Sequence, residues 1–75
     1  MQVFMAKEAV EMGIVIGVRL RHCGEGWIIE ISLYGTDNIE IIELQRGGAR
    51  IFKTLDAAMK MIDRIGYVSE IKIAA

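Results

Sequence analysis

Proline is absent from these 75 residues, cysteine, histidine and tryptophan occur once each, and the charges nearly cancel. A single thiol, Cys23, cannot build an internal disulfide framework and fits a reducing compartment. A single imidazole, His22, adjoins it. Neighbours in extended chain point to opposite faces, so the two do not form a nucleophilic pair. Nor can two such ligands make a structural zinc site, which takes four. The only hydroxyls of serine and threonine are Ser32, Ser69, Thr36 and Thr54, too few and too scattered for a hydrolytic triad. Nine basic against ten acidic residues give a formal charge of −1. The chain therefore lacks the global positive field of a strongly basic nucleic-acid binder, and any such contact must come from local clustering. Long apolar runs are missing too. Met12–Val18, between Glu11 and Arg19, is far short of the roughly 20 residues of a membrane span. Glu8 and Glu11 stand where a signal peptide would carry positive charge. The expectation is a cytoplasmic protein that does not enter the membrane, with no catalytic residues, no metal and no cofactor.

What is present is aliphatic. Hydrophobic residues make up 53% of the chain and mean hydropathy is +0.38. That excludes a disordered tail. It is generous for one domain of this size, which buries only about 60% of the surface its unfolded chain exposes. A β-rich domain that associates with itself accommodates the excess.

Residues 1–75 read as one domain without linkers or repeats. Ala6–Met12 has helix-favouring composition and Gly13 would end a helix there. A strand at Gln2–Met5 or a mobile arm over residues 1–13 competes with it. From Ile14 the period becomes two. Ile14, Ile16, Val18 and Leu20 share one face, with Arg19 and Arg21 on the other. The turn His22–Gly26 leads to Trp27–Tyr34, which alternates again. Ile39–Gln45 is a third strand whose alternation slips at Ile41–Ile42. Arg46–Gly48 turns into a fourth strand, Ala49–Thr54. Leu55, Ala58, Ile62 and Ile65 then follow a helical period, with Thr54 as N-cap and Gly66 beyond the end. Tyr67–Ile73 adds a last strand.

The expected fold is α+β, a two-layer sandwich of a four- or five-stranded, mostly antiparallel meander with one principal C-terminal helix on one face. Its core is Ile16, Val18, Trp27, Ile29, Ile31, Leu33, Ile51, Leu55, Ala58, Ile62 and Ile65. Asp37, Glu40 and Glu43 cluster in sequence, but Glu40 and Glu43 would face opposite ways, and a charged, solvated edge suits them better than a cation site.

The uncovered sheet face would then display Arg19, Arg21 and Arg50 among Ile28, Ser32, Tyr34 and Phe52, flanked by Arg46 and Lys53. From Leu44 to Thr54 there are three cations and no carboxylate. Cations interleaved with aromatic rings suit phosphate contacts and base stacking, although Glu30 sits in their midst. Arg19, Arg21, Arg46, Arg50 and Lys53 are the expected nucleic-acid contacts, with Ile28, Tyr34 and Phe52 as stacking or interface positions. The same apolar face also suits a homodimer or protein-assembly surface without nucleic acid.

Two resemblances bear on this. The run Ala49-Arg-Ile-Phe-Lys-Thr-Leu-Asp-Ala-Ala58, after the strand led by Trp27, resembles short, largely uncharacterised proteins encoded on bacterial plasmids and mobile elements. It implies a bacterial setting close to DNA maintenance. Gly17–Arg21, Trp27–Ile31 and Ala49–Phe52 before a helix are similar in order to AP2-type and integrase-arm DNA-binding domains, which implies groove contacts by Arg19, Arg21 and Arg50. This chain adds the strand Ile39–Gln45 and is acidic overall.

Overall fold

In the computed structural model, which describes residues 1–74, four of the alternating segments supply strands of one sheet, and two helices form, one near each end of the chain. The elements are α1 (Val3–Glu11), β1 (Val15–His22), β2 (Trp27–Leu33), β3 (Ile39–Ile41), α2 (Leu55–Arg64) and β4 (Ile71–Ala74). The sheet order is β3-β2-β1-β4. β1, β2 and β3 form an antiparallel meander, and β4 joins β1 in parallel after the α2 crossover. The class is α+β as expected, with a mixed, mostly antiparallel sheet.

Thr54 caps α2, its Oγ1 accepting from the Ala57 N–H at 3.1 Å. Asp56 in the first turn and Arg64 in the last suit the helix dipole, and Lys60 reaches Asp56 at 3.3 Å. Gly66 follows the helix at φ +90°, a conformation that costs other residues strain. The helix turns Ala58, Met61 and Ile62 inward, and Ile65 follows them just past its end. α1 contributes Ala6 and Ala9. Its end abuts the end of α2, where a β-carbon added at Gly66 would meet Val10 at 3.7 Å. Both helices thus join one core with Val18, Leu20, Ile29 and Ile31 from the sheet, and the opposite sheet face carries no layer among the described residues.

Two core assignments change. Ile16 is 63% exposed, because a bulge between Val15 and Gly17 resets the alternation. Val15, opposite Leu33, packs against the core in its place. Ile51 is exposed and its neighbour Phe52 is buried. The expected fourth strand, Ala49–Thr54, exists only as isolated bridges. Ala49 pairs with Glu43, then the chain crosses to the start of β2, where Phe52 and Trp27 exchange N–H···O bonds of 2.8 and 2.7 Å. Directly opposed residues share a face, so Phe52 follows Trp27 toward the core. The slip at Ile41–Ile42 has the same logic: Ile41 opposes Glu30 on the open face while Ile42 is fully buried.

Gly26 makes the Trp27–Phe52 crossing sterically feasible. A β-carbon there would lie 2.4 Å from the Phe52 carbonyl oxygen and 3.0 Å from the Ile51 Cγ2. Gly24, two residues earlier, has φ +87° but nothing within 4 Å of such a carbon. Gly26→Ala is therefore expected to cost about 2–3 kcal/mol through overpacking against backbone. Gly24→Ala should cost about 1 kcal/mol of backbone strain. Urea midpoints of the two variants check the order, and equal midpoints would contradict it.

Candidate nucleic-acid interface

Register places the open-face side chains in rows. Lys72, Arg19, Glu30 and Ile41 lie side by side across the four strands. Arg21 and Ile28 form a second row, and Gly17, Ser32 and Ile39 a third. Arg19 and Arg21 both turn onto Glu30: Arg19 Nε donates to one carboxylate oxygen at 2.7 Å and Arg21 Nε to the other at 3.0 Å. Glu30 is only 12% exposed beneath them. Burial by itself would raise its pKa, but the hydrogen bonds from Arg19 and Arg21 and their positive charges outweigh that, so the carboxyl lies below its usual range.

The arginines expected to meet phosphate are thus already engaged with a carboxylate in their own sheet. Beside them a groove of about 490 Å³ runs over Gly17 and Ser32, walled by Ile16, Ile39 and Tyr67.

The remaining expected contacts lie elsewhere. Phe52 is in the core, so it is not a stacking platform. Tyr34 is 77% exposed just after β2, and Ile28 is half-buried. Arg46 and Lys53 are exposed in the connections between β3 and α2. Arg50 leaves the sheet face altogether. Its guanidinium lies 5.4 Å from the Phe52 ring centre, a cation–π distance, and it lines a second groove of about 560 Å³.

That groove brings Arg50 together with Lys7 of α1 and Arg64 of α2. None of the three has an ion-pair partner among the described residues. Phe4, 62% exposed, also lines the groove. Gln2 and Val3 bring the first turn of α1, which has no acidic residue and no side-chain cap. Its free N–H groups and dipole favour negative charge there. Glu43 is the one carboxylate in the lining, and it accepts from the Met1 amino group. Glu40 is 3.9 Å from that nitrogen, so these two acids converge on one cation rather than facing apart. Lys7 and Arg64 were not anticipated. Their helical positions carry no local signal of a shared groove, which arises only where α1, α2 and the β3–α2 connection come together.

His22 sits edge-on to Trp27 with ring centres 4.9 Å apart, and Cys23 is exposed in the turn, its thiol directed at the Gly26 carbonyl at 3.4 Å. Among the described residues no group of three or more His, Cys, Asp or Glu is placed to hold a metal, and no helix is long and apolar enough to cross a membrane. No family model, curated protein or solved structure matches this chain.

Because the pKa of Glu30 is lowered on folding, its pairing stabilises the protein at pH values above the ordinary glutamate pKa and ceases to do so as the pH falls through the lowered folded value. Glu30→Gln should cost about 1 kcal/mol at pH 7, the two arginines being partly solvent-screened. It should cost progressively less below about pH 4, within the range where the carboxylate protonates. Urea unfolding of both proteins from pH 7 to pH 3 tests this. A pH-independent difference would contradict the ion-pair account.

Proposed function

We propose that this chain is a non-enzymatic accessory protein that binds nucleic acid through the groove between α1, α2 and the β3–α2 connection. The carrying observation is the convergence of Lys7, Arg50 and Arg64, without ion-pair partners among the described residues, beside the exposed ring of Phe4. Cations neutralise phosphates and release counterions, and an exposed ring offers a stacking surface to an unpaired base. The exposed Arg46 and Lys53 lie in the β3–α2 connection that also supplies Arg50. Arg19 and Arg21 contribute less, because phosphate would have to displace Glu30. The resemblance of the Arg50–Ala58 run to proteins of plasmids and mobile elements supports a setting in DNA maintenance in the bacterial cytoplasm.

Three phosphate contacts to a single strand give a salt slope of about −2, and loss of two reduces it by about 1.4. In fluorescence anisotropy with a labelled single-stranded oligonucleotide between 50 and 200 mM salt, Arg50→Gln with Arg64→Gln should weaken binding at least tenfold and flatten the slope. Arg19→Gln with Arg21→Gln should change affinity less than threefold. Equal effects of the two pairs, or no binding by the wild-type protein at low salt, would overturn the assignment.

A further inference from the structure

The two edges of the sheet differ. β3 is three residues long, and past it the Met1 carbonyl accepts from the Glu43 N–H at 2.8 Å while the Met1 amino group donates to the Ile41 carbonyl. That edge is short and is closed off at its C-terminal end. β4 pairs with β1 on one side and with nothing on the other among the described residues. Such an edge is a ready template for another strand. Ile73 on β4 is 57% exposed, and Val68 just before it is 90% exposed.

The charge pattern around this edge is self-complementary. Glu70 and Lys72 flank Ile71, both are exposed, and neither has an ion-pair partner among the described residues. We propose that two copies of the chain pair antiparallel through β4, centred on Ile71. In that register Ile71 meets its own mate, and Glu70 of each copy lies directly opposite Lys72 of the other. Opposed residues share a face, so two symmetric ion pairs form on the open side and Ser69 faces Ile73 on the helical side. The result is one continuous eight-stranded sheet with all four helices on the same face, built by the isologous contact of a two-fold dimer. A register shifted by one residue toward the C-terminus would oppose Lys72 to Ile71 and lose both ion pairs. The pattern therefore selects the partner as well as the alignment.

The strand is short, so the interface falls below the roughly 1,200 Å² of standard complexes and should associate in the micromolar range. Light scattering on the eluted protein at about 100 µM, well above such a dissociation constant, should show a doubled mass for the wild type. Glu70→Lys and Lys72→Glu each place like charges at both pairs, and each variant should elute as a folded monomer. Mixed in equal amounts, the two variants should regain the doubled mass, because each supplies the charges the other lacks. Amide exchange at residues 70–74 should slow on association. A wild-type protein that stays monomeric, a dimer indifferent to both substitutions, or variants that fail to associate on mixing would each overturn the proposal. None of these results bears on nucleic-acid binding by the Arg50 groove, which lies against both helices.

Discussion

Two short helices can cover one face of a four-stranded sheet and no more. Strands about 4.8 Å apart make a layer that two helices, each about 10 Å across, just span. α1 and α2, with nine and ten residues, both lie on that one face, and the other face carries no layer among the described residues. Every strand residue is therefore assigned by parity to a dry side or a wet one. Val18, Leu20, Ile29 and Ile31 take the first, and Arg19, Arg21 and Glu30 the second. The Val15/Gly17 bulge and the Trp27–Phe52 crossing are the two places where that parity is reset, and both decide which bulky side chains the core receives.

The parts of the fold that depend on local pattern were legible in the sequence. The α2 signals all lie within a dozen residues: Thr54, Asp56, the apolar stripe and Gly66. The β1–β2 hairpin is likewise announced by two alternating runs around a glycine-bearing turn. What could not be read was where alternation changes phase. Val15 and Ile16 are chemically interchangeable as core residues, so nothing in their identity shows that one is swapped for the other. Ile51 and Phe52 are a similar pair. Continuing the period through Ala49–Thr54 puts Phe52 outside, whereas its partner in the bridge, Trp27, puts it inside. The parallel placement of β4 is a third case, since alternation over Tyr67–Ile73 does not say which neighbour the strand will take.

The site divides along the same line. Opposition of Arg19 to Glu30 follows from the β1–β2 register, and the sequence already places Glu30 among the arginines. The destination of Arg50 does not follow from any short-range pattern. It shares a groove with Lys7, which lies 43 positions earlier, and with Arg64 only because α1, α2 and the β3–α2 connection border the same groove. Contacts of such separation are products of the tertiary fold, and a motif confined to Ala49–Ala58 contains only one of the three cations.

Charge balance over the whole chain conceals this division. A net charge of −1 describes no particular surface. On the open sheet face one nearly buried carboxylate serves two guanidinium groups, and the cost of desolvating Glu30 is offset by two charged hydrogen bonds. In the groove the ratio is reversed, with three cations around one carboxylate that already accepts from the Met1 amino group. At physiological ionic strength the Debye length is about 8 Å, so acids on the far side of a molecule 31 × 28 × 23 Å in extent do little to cancel that field. A polyanion approaching the groove meets the local excess rather than the average. A net negative charge is therefore compatible with a groove whose own lining is cationic.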